Sequence, residues 1–472
     1  MPRFGFSVAA VLVLAAPAWA AYPPPLIAER FPAPFGHPAA GVPVAGSPMP
    51  PDMLPPIGLS PGGPFAPALP DGSGPPGGMM STPGWDPHGP VSDPRGFAFD
   101  PLNSSSNLYC PRTRHEYWVR GDWLYGDLRN TPVPVLISTG DPNLPDAAVP
   151  GRGNVRALGA GPRDLGMFHG ARVTFGRWFD PDGELGAEIS GFIFGREGSA
   201  TFFSDTTGTP VVSAPVIGSN GVATVYDFAF PGRFTGTLGS RSATQLFGAE
   251  ANLLHRWRGD GRVSVDGIFG YRHLQLNERV ELLGRSQATG ALGTFNGAVL
   301  PQGVTVFTSD SFRGRTEFHG VQLGGRIEVR RDMFTLTTFS KVGAGVNLQT
   351  LRVDGSTTAT GFGVTQTAFG GVRALPGNFG RDTNTDFSLS GETGFELSFQ
   401  VTQSVTVRVG YNTLFWSDVL RPGSVIDPVV NFSQVPIDPT FGTPGGAARP
   451  RNVFRSSDFL AQSMVVGLQW DY

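Results

Sequence analysis

Acid–base chemistry needs a histidine and a carboxylate converging on one face, and this 472-residue chain holds only seven histidines with which to build such a site. His169, His273 and His319 stand in strongly patterned stretches, but each falls on the apolar parity, which makes them interface side chains rather than a catalytic group. Gly58-Leu59-Ser60-Pro61-Gly62 has the spacing of a nucleophile elbow, yet it lies in a Pro/Gly-rich stretch with no strand-to-helix turn to strain it. Asp180-Pro181-Asp182-Gly183 resembles the opening of a calcium loop, but the later ligands are missing and the position is that of a hairpin turn. The glycines between Gly151 and Gly166 lack the preceding strand and following helix that phosphate binding requires. No catalytic residue, metal site or cofactor is therefore expected.

What the chain does offer is ionisable side chains on the polar parity of its patterned stretches. They are Arg120, Asp122, Arg172, Glu188, Glu250, Arg256, Asp266, Arg272, Arg326, Glu328, Lys341, Glu392, Glu396 and Arg408, seven of each sign. A selective ion channel concentrates one sign at a constriction, whereas balance suits pairs that bridge an interior. Lys341 is the only lysine. The arginine preference fits bidentate pairing, and it fits a GC-rich genome equally well.

These side chains need strands to position them. Phe387, Leu389, Gly391, Thr393, Phe395, Leu397 and Phe399 alternate with Ser388, Ser390, Glu392, Gly394, Glu396, Ser398 and Gln400, which is a strand with one apolar and one polar face. After Thr402-Gln403-Ser404 its hairpin partner sets Val405, Val407, Val409 and Tyr411 against Thr406, Arg408, Gly410 and Asn412. The signature recurs near 116–126, 166–179, 185–197, 243–257, 262–281, 312–330, 334–351 and 457–472, giving about ten strands. Short turns at Asp180 to Glu184, Arg258 to Gly261, Arg331 to Met333 and Thr402 to Ser404 alternate with long connections near 129–165, 198–242, 282–311, 352–384 and 419–456. That asymmetry is the plan of an outer-membrane barrel, with short periplasmic turns and long outer loops.

Aromatic residues collect at both ends of these strands. Tyr117, Trp257, Phe334, Phe399, Trp470 and Tyr472 mark the short-turn end, and Trp123, Tyr125, Tyr271 and Tyr411 the other. Two aromatic girdles around an aliphatic band belong at two membrane interfaces, whereas a soluble sandwich has no use for them. Trp470 and Tyr472 also resemble the terminal signature by which bacterial outer-membrane barrels are recognised for assembly.

The remaining composition agrees with this plan. Charged residues are 15% of the chain against a usual figure of about 25%, and the net charge of −3 gives no nucleic-acid footprint. Residues 1–20 read as a signal peptide, with Arg3, an apolar stretch from Val8 to Ala16, and Ala18-Trp19-Ala20 for cleavage. In an exported chain the lone Cys110 is a free or an intermolecular thiol. Beyond the signal no apolar run reaches the roughly 18 residues of a membrane helix, so any crossing is made by strands. Residues 22–101 hold 23 of the 44 prolines and 13 glycines, so 21–114 is expected to be a disordered periplasmic tether, with cell-wall contact left open.

Tyr117-Trp118-Val119-Arg120-Gly121-Asp122-Trp123-Leu124-Tyr125, Gly170-Ala171-Arg172-Val173-Thr174-Phe175-Gly176-Arg177-Trp178-Phe179 and Phe247-Gly248-Ala249-Glu250-Ala251-Asn252-Leu253 resemble the beta-barrel porin family, seventh of its naming series. That family is found in planctomycete-type bacteria and often carries a Pro/Gly-rich leader. The resemblance spans about residues 115–472 and implies an antiparallel up-and-down transmembrane β-barrel with outer-membrane lipid and the barrel-assembly machinery as partners. The expectation is an all-β, outer-membrane protein that passes small solutes passively, or else a plugged structural or surface-display barrel. The least favoured alternative is an omptin-like outer-membrane protease, which shares the ten-strand plan but would need His169, His273 or His319 on the polar parity. Barrels of about eight strands are filled by side chains and those of about 16 to 18 hold channels, so ten strands leave a narrow passage or none.

Overall fold

The computed structural model describes residues 116–472 apart from 145–146, 153–154, 159–160, 163, 260 and 291–292. The expected signal peptide, the Pro/Gly-rich segment and Cys110 lie outside the described residues.

Ten strands carry the architecture: β1 (Tyr117–Leu128), β2 (Phe168–Trp178), β3 (Leu185–Phe194), β4 (Phe234–Gly259), β5 (Val263–Ala288), β6 (Thr305–Arg331), β7 (Phe334–Gly361), β8 (Gly380–Gln400), β9 (Val405–Leu420) and β10 (Ser456–Asp471). Each pairs antiparallel with its neighbours in the chain, and β10 pairs with β1, opposing Val119 to Trp470 and Trp123 to Val466. The product is a large near-ring sheet. At the hairpin between β6 and β7, Asp332 takes a φ of 55°, the left-handed conformation that short polar side chains accept.

The sheet is inside out at one end and conventional at the other. On β8, Phe387 is 65% exposed while Ser388 beside it is fully buried, and the alternation continues through Leu389, Phe395 and Leu397 outward against Ser390, Glu392 and Glu396 inward. Along β5 the same parity changes character partway up. Near the short turns the outward residues are Phe269 and Tyr271 and the inward ones Asp266 and Arg272. Beyond His273 the outward residues are Gln275, Asn277, Arg279, Glu281 and Arg285, while Leu274, Leu276, Val280 and Leu282 turn inward and are buried. On β6 and β7 the change falls at the corresponding level, between His319 and Glu317 and just past Leu348. Strand periodicity is preserved throughout; what changes is the polarity of the residues that face outward.

The expectation of irregular loops at 198–242, 282–311 and 352–384 is corrected here. β4 to β7 run 26 to 28 residues each, well beyond the roughly 9–11 that a membrane-crossing strand needs. Glu197–Asp205 pairs with the upper half of β4, and Val364–Phe369 with the upper end of β7. Serine- and threonine-rich sequence suits these extensions because their outer face is polar and exposed. Thr358 bonds Thr367 at 2.9 Å, and Thr360 bonds Thr365 at 3.2 Å, across one such pair. A second sheet of five short strands, among them Val211–Gly218 and Ala223–Ala229, sends Val212, Ala214, Val216 and Phe228 into one apolar cluster with Leu238, Val280, Leu282, Phe312, Leu351 and Val353 from the upper inner face of β4 to β7. That cluster is the core of a cap built on the strand extensions.

Candidate functional site

The ion pairs on the inner face decide what the interior can do. Polar parity aims the charged residues of ten strands at one enclosed space, where a lone charge would pay a large desolvation cost. Half of the fourteen meet partners on strands that are not neighbours. Lys341 of β7 reaches Glu250 of β4 at 2.7 Å and Glu392 of β8 at 3.0 Å, and Arg272 of β5 touches the same two carboxylates, with 2.8 Å to Glu250. Arg172 of β2 spans to Glu392 at 3.3 Å. A second group joins Arg326 of β6 to Glu188 of β3 at 3.3 Å and to Asp266 at 3.2 Å, while Arg256 takes the other Asp266 oxygen at 2.8 Å. Arg408 pairs with Glu396, Glu328 accepts from Arg330 at 2.7 Å, and Arg120 donates to Gln469 at 2.8 Å. Asp122 is buried on the same face. Gln322 ties the groups together by donating to Glu250 at 3.0 Å and Asn252 at 2.6 Å.

This charged layer is bounded above and below by apolar side chains. Near the short turns Trp118, Leu254 and Ile268 close against one another with Trp178. On the other side Leu124, Phe168, Phe194, Leu246, Leu274, Leu276, Phe318, Trp416 and Phe459 fill the cross-section. Between the layers the space lined by Arg120, Asp122, Arg172, Glu188, Glu250, Arg326, Lys341, Glu396 and Arg408 has a volume of about 50 Å³, room for a few waters. A smaller one of about 10 Å³ adjoins it beside Arg272 and Glu392.

Three further features escape a reading by strand pattern. Glu278 and Arg421, each 1% exposed, pair at 2.7 Å above the apolar layer, with Thr131 donating to Glu278 at 2.6 Å. Glu278 lies on the inward parity of β5, which marks it as facing inward from pattern alone, whereas Arg421 follows β9 in a stretch expected to be irregular. In the cap, the Asp310 carboxylate accepts the backbone N–H groups of Val372 at 3.0 Å and Ala374 at 2.8 Å, and burial pushes the neighbouring Arg373 guanidinium down to about 10. Tyr226 donates to Asp438 at 2.8 Å, and burial together with that carboxylate raises the phenol above its ordinary 10. Burial likewise raises Asp227.

The described histidines lie on the outside. His273 and His319 oppose each other across β5 and β6 with ring centroids 4.6 Å apart, Tyr271 Oη lies 2.6 Å from His319 Nδ1, and His169 stacks beside Trp123 and Tyr125. Together they form a ring-rich edge where the exposed apolar band ends. At the opposite edge Tyr117, Trp257, Phe334, Phe399, Trp470 and Tyr472 are all exposed. The carboxylate of Asp180 is occupied by the backbone N–H groups of Glu184 and Leu185, at 2.9 and 2.7 Å, so it caps a turn.

The family model described as "Putative beta barrel porin-7 (BBP7)" matches residues 118–472. No curated protein matches the chain. Among solved structures, the chain is similar to the outer membrane protease OmpT of Escherichia coli, with 9% identity over 75% of this chain and 97% of that one and a TM-score of 0.35. It is similar also to a FadL homologue of Pseudomonas aeruginosa, with 8% identity, 75% and 90% coverage and a TM-score of 0.20. The toluene transporter TodX of Pseudomonas putida matches at 7% identity, with 76% and 90% coverage and a TM-score of 0.18.

Proposed function

Because this chain belongs to that beta-barrel porin family of the outer membrane, we propose that its near-ring sheet is a closed ten-stranded barrel spanning the membrane, sealed in its resting conformation, that holds a folded cap on the cell surface. The exposed band from Phe334 to Leu348 on β7, bordered by rings at both edges, supports a lipid-facing surface. In this reading the short turns face the periplasm, the cap faces outward, and residues 21–114 form the periplasmic tether. Lipid and the barrel-assembly machinery are its partners, with the cell wall a possible contact of the tether. The side chains at Arg120, Asp122, Arg172, Glu188, Glu250, Asp266, Arg272, Arg326, Glu328, Lys341, Glu392, Glu396 and Arg408 line the interior as a structural brace. Trp470 and Tyr472 serve assembly. Catalysis has no place in it, since His169, His273 and His319 point away from every interior carboxylate.

One observation carries the sealed reading: ion pairs between non-adjacent strands cross the interior, and the space they leave is only about 50 Å³. Passive passage of small solutes is the second reading. The family description and the mainly charged lining favour it, and it requires the apolar layer around Leu246, Phe318 and Trp416 to move aside. Single-channel recording of the full chain in planar bilayers separates the two. A sealed barrel gives no stable conductance, and a steady open level at low voltage would overturn it.

A further inference from the structure

Above the apolar band the outer face carries an arrangement that ordinary sheet stabilisation opposes. Arg279 of β5 stands directly opposite Arg313 of β6, Arg313 opposite Arg352 of β7, and Arg352 opposite Arg381 of β8. All four are on the outward parity, and Arg313, Arg352 and Arg381 are exposed. Like charges directly across a ladder are destabilising, with strands only about 4.8 Å apart. The acids nearby offset them incompletely. Arg279 touches Glu281, and Arg352 meets Asp354 at 3.1 Å. Arg313 has Ser311 Oγ at 3.3 Å, and among the described residues neither Arg313 nor Arg381 has a carboxylate within ion-pair distance. One level nearer the band Arg315 pairs with Glu317 at 2.6 Å. At its β4 end the row opens into a groove of about 310 Å³ where Arg196 and Arg241 join Arg279.

The level of the row is informative. The rings near the edge of the band lie on a register row, His273 to His319 to Val346 to Phe387, and each arginine stands six residues beyond its counterpart, with Arg352 four beyond Leu348, the last outward apolar residue of the band on β7. Four to six residues rise about 13–20 Å along a strand, or about 10–15 Å along the membrane normal at the usual tilt of 35–45°. The polar zone of a phospholipid bilayer extends only about 5–7 Å past the hydrocarbon. Phospholipid phosphates therefore stop short of the row, and sugars built on a lipid reach it.

We propose that the Arg279–Arg313–Arg352–Arg381 row binds the phosphate-bearing saccharide headgroup of an outer-leaflet glycolipid. Guanidinium forks match phosphate bidentately, and an anion bridging successive arginines relieves the repulsion within the row. The inference rests on the membrane placement proposed above.

The test uses the full chain refolded into phosphatidylcholine vesicles, with labelled lipopolysaccharide as the probe. The variant carries R313Q, R352Q and R381Q, which leave the interior untouched. Wild type is expected to bind the probe and the variant to bind it about a hundredfold more weakly, given the usual contribution of each arginine near an anionic surface. Vesicles containing phosphatidylglycerol should not distinguish the two. Equal probe binding by both proteins overturns the proposal, as does an equal loss on phosphatidylglycerol, which would indicate a general response to acidic surfaces. Displacement of the probe by millimolar inorganic phosphate would assign the row to a free anion instead. If the triple variant does not refold, R313Q alone should still lose several-fold, and an unchanged R313Q overturns the idea. Failure of wild type to float with phosphatidylcholine vesicles refutes the membrane placement itself, a result separate from any loss of probe binding.

Discussion

Glu392 meets more cations than any other interior carboxylate, facing Lys341 at 3.0 Å, Arg172 at 3.3 Å and Arg272. Glu392→Gln keeps the shape and removes the charge. Arg272 and Lys341 retain Glu250, so the main uncompensated charge is Arg172, itself only partly exposed. Breaking a buried pair by removing one partner costs about 3–5 kcal/mol, and the surviving Glu250 contacts put this case near the lower figure. Removing Lys341 as well, as Lys341→Met, should restore part of the loss, with a coupling of about 1–3 kcal/mol between the two sites. The assay is the urea midpoint of the heat-modifiable folded band after refolding into vesicles, measured for wild type, both single variants and the double. A water-filled, screened lumen behaves differently, because exposed pairs are worth about 0–1 kcal/mol. A Glu392→Gln protein within about 1 kcal/mol of wild type, with no coupling to Lys341, would refute the braced interior.

Three other outcomes are expected. In a Cys110→Ser background, a cysteine at Phe362, in the turn beyond β7 and 79% exposed, should label on whole cells with an impermeant maleimide, and one at Asp332 should not; the reverse would invert the orientation. Deleting Trp470 to Tyr472 removes the ladder positions opposite Val119 and Val405 and the backbone pair between Tyr117 and Tyr472. Assembly should fail, and normal amounts of heat-modifiable protein would contradict this. Tyr226 is held above its ordinary 10 in the fold, so its contribution to cap stability is present below pH 10 and is lost as pH rises beyond that, when only the unfolded phenol ionises. Tyr226→Phe should cost about 1 kcal/mol at neutral pH through the lost bond to Asp438 and flatten the alkaline decline, as read by tryptophan fluorescence; an unchanged decline would disprove the assignment.

The lower half of the molecule was legible because a single rule governs it. Period-two alternation in Phe387 to Gln400 separates Glu392 and Glu396 from Phe395 and Leu397 without reference to any partner, and the structure keeps that separation. The partners themselves were not legible. Arg326 meets Glu188 from three strands away, a contact set by the cross-section of the sheet and not by local pattern. The upper half was misread for a different reason. Stretches such as Arg352 to Gly361 lack an apolar stripe facing out, so they resemble loop, although their inward residues Val353 and Ala359 are buried and their threonines form ladder bonds. Arg421 was invisible because its burial depends on a neighbour far away in the chain, Glu278.

The reversal of polarity along β5 to β7 bears on how these strands choose their pairing. In a sheet with one solvated face, a slip of one residue is penalised once. Here it would be penalised twice by a single movement. Below His273, Asp266 and Arg272 would swing onto the exposed apolar band, and above it Val280 and Leu282 would swing onto the polar outer face. Because one uninterrupted strand joins both regions, neither half can shift to relieve an error without spoiling the other. Alignment won at either end is thereby transmitted to the far end, and long ribbons that would otherwise slide freely are locked in step.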